Sequence, residues 1–215
     1  MADTTTPRFE RRKPDRPEQI ADAALLEFAE HGYAGTRVAD VAQRAGVSKG
    51  LMYVYFRTKE ELFKAVVRKV LTPKLDQLTS TVRHSTLPMD QFLRGPFLTF
   101  MQELVRSRAR VVLRLMIAEG PKHPDLTQWY MDNVLNRGLG ALREMIQRGV
   151  RNGELRPGAI ETYPQLLIAP ALIGMVWMIL FQRHEKLDTD HMLQEHVELM
   201  VQTLVIDGPR QQVLL

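Results

Sequence analysis

"AGVSKGLMYVYFRTKEELF", residues 45–63, decides the fold of this chain. Gly46 ends one helical pattern, and Ser48 is a residue type that caps the start of the next helix. The segment from there to about Phe56 is short, and helices of this length are not stable in water without tertiary packing. We therefore expect several short helices packed on one small core, followed by a longer helix.

Two helices are predicted before this stretch. Pro17 suits the first turn of a helix, which Gly32 ends. Thr36 is then expected to cap a short helix that ends at Gly46. Apolar residues recur at helical spacing in both segments, so each presents one face to a common core.

Longer helices are predicted after the stretch. Thr58 and Glu61 have the spacing of a capping box, which opens a fourth helix that we expect to be disturbed near Pro73. Helical spacing and turn residues predict further helices at about residues 88–107, 109–120, 124–152, 159–184 and 188–206. The sequence contains no strand-like alternation of any length, so the predicted fold is all-α.

The predicted organisation has three parts. Residues 1–16 read as a flexible basic arm, residues 17–76 as a helix-turn-helix domain whose motif spans 37–56, and residues 77–215 as a larger helical body. The long fourth helix joins the last two parts. The final residues, 208–215, are expected to be loosely packed.

Composition excludes several function classes. The 215 residues include no cysteine, which rules out disulfides, thiolate zinc sites and cysteine nucleophiles. This fits a reducing compartment, and we expect a cytoplasmic protein. The first residues are polar and basic and lack an apolar core, so a secretory signal peptide is not expected.

Basic residues are concentrated in one part of the chain. The net charge is +4. Between residues 36 and 69 the bases far outnumber the acids, whereas the two nearly balance after Val70. The bases are Arg37, Arg44, Lys49, Arg57, Lys59, Lys64, Arg68 and Lys69, and the acids are Asp40, Glu60 and Glu61. This surplus indicates a polyanionic partner near the N-terminal third, although a solvated basic face is the alternative.

Residues 37–56 have the form of a helix-turn-helix, in which the second helix lies in the DNA major groove. At about 100° per residue, Lys49, Gly50 and Tyr53 share one half of this helix. Met52 falls on another stripe that can anchor in the core. Gly50 costs roughly 1 kcal/mol relative to alanine, but it removes a side chain where the duplex comes close. The alternative is that Gly50 only relaxes a tight turn.

The sequence "LEFAEHGYAGTRVADVAQRAGVSKGLMYVYFRTKEELF", residues 26–63, closely resembles the N-terminal signature of TetR-family transcriptional regulators. The resemblance implies a homodimer that binds a palindromic operator in double-stranded DNA near its own or a neighbouring gene, usually as a repressor released by a small ligand. It implies no enzymatic activity. Position by position, the DNA contacts of the family fall on Thr36, Arg37, Ser48, Lys49, Gly50, Tyr53, Tyr55 and Lys59. Val54 departs from relatives, which often have an aromatic or polar residue there.

The body resembles the family more loosely. Residues 118–157 look like the body of multidrug-type regulators, without identifying an inducer. In such relatives the last two helices pair across the dimer as a four-helix bundle. The interface residues expected from this pairing are Leu172, Val176, Leu180, His196, Leu199 and Thr203. Such a dimer sets its recognition helices about 34–36 Å apart, one turn of DNA.

Aromatic and methionine side chains of the body suggest an inducer pocket for a small apolar molecule, although ordinary core packing uses the same residues. The expected lining residues are Phe100, Leu104, Met116, Trp129 and Trp177. The histidines His184, His191 and His196 lack the i,i+4 spacing of a helical metal site, so no metal or other cofactor is expected. No nucleophile elbow is present, and no catalytic residue is assigned.

Two alternatives from other classes remain at this stage. The first is an α-helical small-molecule-binding protein or enzyme whose N-terminal part does not bind DNA. The second is a membrane-anchored protein that uses the apolar segment Leu166–Phe181. That segment is shorter than the roughly 20 residues that a membrane span requires, and we expect it to be buried in protein rather than in lipid.

Overall fold

The chain divides into two compact units, Met1–Val66 and Val67–Leu215, hereafter the N-terminal unit and the C-terminal unit. The computed structural model describes residues 16–206 of them. The predicted arm at residues 1–16, apart from Arg16, and the predicted tail at 208–215 lie outside this range. The all-α prediction is confirmed, since the β-pairing of the described residues amounts to one isolated bridge, between Leu155 and Val205.

The N-terminal unit is built from three helices and the start of a fourth. They are α1 Arg16–Gly35, α2 Val38–Arg44, α3 Lys49–Tyr55 and α4 Lys59–His84. Gly32 has a φ of 71° and a ψ of 177°, which interrupts the helical path of α1 where its end is predicted. The predicted order, in which short helices precede a long one, is confirmed.

Aromatic packing holds the N-terminal unit together. Phe28 stacks on Tyr33 at 5.7 Å between ring centroids, and Phe63 contacts both rings edge-on at 5.8 and 5.6 Å. Met52 of α3 is fully buried. Each such side chain contributes about 1.5–3 kcal/mol when it leaves water. Because α2 and α3 have seven residues each, this packing, not helix propensity, keeps them folded.

The start of α4 follows the predicted capping chemistry in part. The Thr58 hydroxyl accepts the N–H of Glu61 at 3.1 Å, as in a capping box. The Glu61 carboxylate, however, accepts the N–H of Arg57 at 2.7 Å, one residue earlier than the box requires. The predicted disturbance at Pro73 is wrong, since α4 continues through it. Pro73 lies on an exposed face, where its missing N–H does not disrupt the core.

The helices of the C-terminal unit match most predicted bounds to within a few residues. In its described part they are α5 (residues 89–106), α6 (Ala109–Glu119), α7 (residues 124–151), α8 (Ala159–Thr162), α9 (Gln165–Leu180) and α10 (Thr189–Leu204). A π-helical turn lies inside α5 at Leu93–Phe97 and another inside α7 at Met131–Leu135. Pro96 lies in the first, where the wider turn accommodates a residue without an N–H.

The predicted helix at residues 159–184 is wrong, because the chain forms two helices there. Tyr163 has a φ of −123° and a ψ of 68°, outside the helical region, and Pro164 follows it. Proline disfavours helical dihedrals in the preceding residue, which explains the break. The resulting α9 has 16 residues. No helix within residues 16–206 is long and apolar enough to cross a membrane, which contradicts the membrane-anchor alternative.

Arg148 fixes α7 to the end of α4. Its guanidinium donates to the carbonyl of Ser85 at 2.7 Å and to that of Val82 at 3.3 Å. The same group lies 5.1 Å from the ring centroid of Phe92 in α5. Carbonyls at a helix C-terminus lack intrahelical donors, so one cation satisfies them and joins three helices.

Candidate nucleic-acid interface and ligand cavity

A glycine-dependent turn sets the angle between α2 and α3. Gly46 has a φ of 65°, which favours glycine. Its N–H donates to the Gln43 carbonyl at 3.1 Å, and the N–H of Val47 donates to the Ala42 carbonyl at 3.0 Å. These two bonds form a Schellman motif, which satisfies the last carbonyls of α2. The predicted end of this helix at Gly46 is therefore confirmed.

The start of α3 is capped as predicted. Ser48 is extended, with a φ of −68° and a ψ of 151°, and its hydroxyl accepts the N–H of Leu51 at 3.1 Å. Because Met52 anchors one face of α3 in the core, the opposite face is left to solvent. Lys49 and Tyr53 are exposed on the flank of α3, between the buried stripe of Met52 and the opposite face.

Two further side chains extend this exposed surface. Tyr55 is exposed at the end of α3, and Arg37 is exposed at the N-terminal end of α2. Val54, the position at which the sequence departs from its relatives, is 74% exposed. The exposed side chains of α3 therefore include a cation, two phenols and an apolar side chain, with Tyr53 and Tyr55 on different sides of the helix.

Gly50 has no role in the fold that requires a glycine. It is absent from the glycines with positive φ, and it lies inside α3. A Cβ at this position meets only the Ser48 hydroxyl oxygen, at 4.0 Å, among the described residues. Neither backbone conformation nor internal packing explains the residue, so the explanation that it relaxes a tight turn is wrong.

Thr36 is placed differently from the prediction. It is 2% exposed, and its hydroxyl donates to the Gly32 carbonyl at 2.7 Å, at the interruption of α1. The N-cap position of α2 is occupied by Arg37, which makes no side-chain cap. The predicted cap at Thr36 is therefore wrong, and its buried hydroxyl is not available to a phosphate.

The ammonium of Lys59 also forms its hydrogen bonds within the N-terminal unit. Its ammonium donates to the carbonyls of Tyr33 at 2.7 Å, Thr36 at 3.1 Å and Ala34 at 3.2 Å. It also lies 4.7 Å from the centroid of the Tyr33 ring. A cation at these carbonyls stabilises the C-terminus of α1. The predicted DNA contact by this ammonium is therefore at odds with its observed bonds.

Arg44, one of the predicted surplus bases, is neutralised by α1. Its guanidinium contacts Glu27 at 2.7 Å and Glu30 at 2.5 Å. The hydrogen bond from Arg44 lowers the pKa of the Glu30 carboxyl. Glu27, Glu30 and His31 offer ligand atoms within 4.8 Å of one another, the spacing of a metal site. The guanidinium already occupies both carboxylates, so this cluster reads as an ion-pair network.

The C-terminal unit contains an apolar cavity of about 130 Å³. Its lining comes from α4, α5, α6, α7 and α9, and consists of apolar side chains and one glycine apart from Lys74 and Tyr130. The lining residues are Leu71, Lys74, Leu75, Leu78, Phe100, Leu104, Ala109, Leu113, Tyr130, Val134, Leu135, Gly138, Leu139, Leu142, Ile168, Leu172 and Met175. A cavity of similar size, about 150 Å³, holds benzene in another protein.

Two of the five predicted pocket residues line this cavity, Phe100 and Leu104. The other three do not. The Trp129 ring instead lies 5.1 Å from the guanidinium carbon of Arg68. The Trp177 indole N–H donates to the Glu185 carbonyl at 3.0 Å, and the ring packs on Phe181 at 5.2 Å. Met116 lies near Gly120 at the end of α6, away from the lining.

The last two helices expose an apolar surface. On α9, Leu172 and Leu180 are 40% and 58% exposed, and Leu199 on α10 is 61% exposed. Val176 is half-buried on α9, and Thr203 is exposed on α10. Large apolar side chains that are exposed together mark interaction surfaces.

His196, also predicted at the interface, lies on α10 and is half-buried. Its Nε2 lies 3.2 Å from the Leu167 carbonyl on α9. Burial lowers the pKa of His196, and this backbone hydrogen bond opposes the shift. The imidazole therefore joins α9 to α10 beside the exposed apolar surface.

Comparison with known proteins now identifies the chain. Residues 20–66 match the family model for bacterial regulatory proteins of the tetR family, and residues 93–199 match the model for a tetracyclin repressor-like C-terminal domain. The chain belongs to the TetR family. It is therefore a DNA-binding transcriptional regulator and not an enzyme, which confirms both predictions.

Individual relatives of this TetR-family chain agree with the assignment. The HTH-type transcriptional repressor KstR2 of Mycolicibacterium smegmatis is 27% identical over 143 residues, 66% of this chain and 68% of that protein. The SmeT–triclosan complex, from Stenotrophomonas maltophilia, has a TM-score of 0.71 at 24% identity and covers 90% of this chain and 93% of that one. FadR of Bacillus subtilis in complex with stearoyl-CoA also has a TM-score of 0.71, at 22% identity, with 86% and 97% covered. At these identities the two structures establish the shared fold.

Sequence reasoning missed most of the cavity of this TetR-family chain. Leu71, Leu75 and Leu78 recur at helical spacing on α4, and Val134 and Leu142 do so on α7. Facing stripes on two long helices were a usable signal. The aromatic residues chosen instead were large enough to line a pocket, but several serve as contacts between helices.

Proposed function

We propose that the protein is a homodimeric repressor that binds a palindromic operator near its own or a neighbouring gene. A small, mostly apolar molecule in the cavity of the C-terminal unit releases it from DNA. The proposed contact between α3 and DNA rests on Gly50. This residue is exposed on α3, and neither the backbone nor the packing of the described residues requires a glycine there. A duplex that approaches α3 closely supplies a reason for the glycine.

Some of the proposed DNA contacts read bases, and the others bind the backbone and fix the position of the protein on the duplex. Lys49 and Tyr53, on the exposed face of α3, enter the major groove, where Lys49 reaches a guanine edge or a phosphate. Arg37, Ser48 and Tyr55 lie at helix ends and bind phosphates, which fix the register of the protein on the duplex. Gly50 lets the duplex approach the helix.

Thr36 and Lys59 take different roles in this proposal. Their polar atoms bond within the N-terminal unit, at and after the interruption of α1 at Gly32. We assign them to holding the C-terminal end of α1 in place beside α2 and α4. They affect DNA binding through the shape of the N-terminal unit and not through their own side chains.

The dimer is proposed to form through α9 and α10. Their exposed leucines, Leu172, Leu180 and Leu199, form an apolar surface of the kind that homodimer interfaces bury. A two-fold axis through paired helices presents two recognition helices to half-sites one DNA turn apart, about 34–36 Å. Such a dimer explains why α9 is apolar on nearly all sides.

One helix connects the cavity to the DNA-binding unit. α4 places Leu62 and Phe63 in the core of the N-terminal unit, and it lines the cavity with Leu71, Leu75 and Leu78. Since α4 is continuous, a ligand that shifts it at the cavity also shifts the part that supports α3. Relatives have been solved with triclosan and with stearoyl-CoA, and the triclosan rings and the stearoyl chain support a ligand with an apolar body.

A selection of bound duplexes from random DNA tests the proposal. Wild-type protein is compared with the double variant Lys49→Ala, Tyr53→Ala. The matched control is Lys122→Ala, Tyr163→Ala, which removes the same side chains from exposed positions of the C-terminal unit. Enrichment of one palindrome by wild type and control alone is the expected result. Equal enrichment by all three proteins would mean that α3 does not read the operator.

A further inference from the structure

The cavity contains one polar group without an internal partner. Tyr130 lies among the lining residues, and its hydroxyl has no hydrogen-bond partner within residues 16–206. Tyr130 is half-buried, and its hydroxyl oxygen is not among the fully buried polar atoms that lack a partner. The hydroxyl is therefore accessible and can donate a hydrogen bond to a ligand.

Lys74 is the other polar residue of the lining, and it is already paired. Its ammonium lies 3.6 Å from a carboxylate oxygen of Glu103, and the two side chains are 21% and 43% exposed. This pair is therefore at the solvent edge of the cavity. Among the lining residues, Tyr130 offers the only uncharged side-chain donor.

The local backbone also singles out this position. The π-helical turn of α7 begins at Met131, directly after Tyr130, and two of its residues, Val134 and Leu135, line the cavity. No proline lies in this turn, unlike the π-turn of α5. Single π-helical turns are frequent at functional sites, where they re-aim side chains.

We propose that the cavity takes a neutral ligand with one aromatic ring, or an apolar body of that size, and one hydrogen-bond acceptor that binds the Tyr130 hydroxyl. This inference rests on the proposed function, in which the cavity is the inducer site. The volume of about 130 Å³ sets the size, because a cavity of about 150 Å³ accommodates benzene. The single uncharged donor sets the number of acceptors.

The charge of the ligand follows from the same lining. An anion in an apolar cavity costs several kcal/mol unless a cation compensates it. No arginine or histidine lines the cavity, and the ammonium of Lys74 already faces a carboxylate. A ketone, ester or ether oxygen is therefore favoured over a carboxylate. Burial also raises the pKa of Tyr130 to about 12, which keeps the phenol protonated as a donor at neutral pH.

Three probes of nearly equal shape test the assignment by isothermal titration of the full-length protein. Acetophenone carries a carbonyl oxygen, α-methylstyrene replaces that oxygen by a CH₂ group, and benzoate carries a charge. Wild type is expected to bind acetophenone about 2- to 12-fold more tightly than α-methylstyrene, the value of one net hydrogen bond. Benzoate is expected to bind most weakly of the three.

Tyr130→Phe is expected to remove the preference for acetophenone and to leave the affinity for α-methylstyrene unchanged. Tyr163→Phe, an exposed tyrosine outside the lining, is the matched control and should bind as wild type does. A preference for acetophenone that survives Tyr130→Phe, or its absence from wild type, would overturn the assignment of the hydroxyl.

A third variant separates this inference from the proposed function. Leu113→Trp fills the cavity from α6 and is expected to abolish binding of acetophenone and α-methylstyrene alike. If both bind wild type equally and neither binds Leu113→Trp, the cavity stands as the ligand site and only the role of Tyr130 is overturned. If Leu113→Trp, still helical by circular dichroism, binds the probes as wild type does, the cavity is not their site and both proposals fail.

Discussion

Gly50→Ala is expected to change stability and DNA affinity in opposite directions. Gly50 lies within α3, and among residues 16–206 a Cβ there meets only the Ser48 hydroxyl oxygen, at 4.0 Å. The added methyl group therefore fits without repulsion. Alanine loses less conformational entropy on folding than glycine, so the free energy of unfolding should rise by about 0.5–1 kcal/mol.

At the proposed interface the same methyl group occupies space that the duplex needs. Overfilling a well-packed contact costs about 1–3 kcal/mol. This corresponds to a roughly 5- to 150-fold weaker affinity for each half-site. A structural role for Gly50 predicts the reverse pattern, in which stability falls and affinity falls only as a consequence.

Gly140→Ala provides the matched control. Gly140 lies exposed in α7, and an added Cβ meets no heavy atom of the described residues within 4 Å. It should stabilise the protein by a similar amount and leave operator affinity unchanged. Urea unfolding followed by circular dichroism gives the stability, and fluorescence anisotropy with the selected palindrome gives the affinity. If Gly50→Ala stabilises the protein and binds the operator as wild type does, the placement of α3 in the groove is refuted.

Three further perturbations test other parts of the structure. Lys59→Met should lower the free energy of unfolding by about 1.5–3 kcal/mol, because charged hydrogen bonds are lost. It should not change the slope of log operator affinity against log salt concentration. Lys49→Ala should flatten that slope by roughly 1. Burial holds the pKa of His196 below the ordinary histidine value of about 6.5, so the unfolded chain takes up its proton first. Unfolding titrations should show stability lost as the pH falls below about 6.5, and less so in His196→Gln. Leu199→Lys should give folded monomers in sedimentation, whereas Ile117→Lys, at a residue 58% exposed on α6, should leave the dimer intact.

The N-terminal unit was predictable because its signals are local. Gly46, Ser48 and Thr58 act on backbone groups within a few residues of themselves, and each was found in its expected role. Thr36 and Lys59 were not predictable in this way. The carbonyls that Lys59 binds lie more than twenty residues earlier in the chain, and they meet its ammonium only after the helices pack.

The cavity was less predictable than the core around it. Helical periodicity indicates which side chains are buried. A cavity, however, forms where the side chains of facing helices leave space between them, and that depends on how the helices pack. Trp129 and Trp177 are large enough to line a pocket. The Trp129 ring instead contacts the Arg68 guanidinium of α4, and the Trp177 indole N–H bonds to the Glu185 carbonyl just after its own helix. Tyr130 is the neighbour of Trp129 in sequence, but only the structure distinguishes its unpaired hydroxyl.

The free energy that switching requires is of the size that the cavity can supply. A ligand shifts the protein away from DNA only by as much as it prefers the arrangement that does not bind the operator. A tenfold release needs a preference of about 1.4 kcal/mol, which is close to the net value of a single hydrogen bond. Because α4 lines the cavity with Leu75 and supports the N-terminal unit with Phe63, the proposed mechanism needs a movement of α4 at the cavity to reach its N-terminal end. In that mechanism, one hydrogen bond from the Tyr130 hydroxyl to the ligand, formed in only one position of α4, has the free energy needed to couple the ligand to the operator.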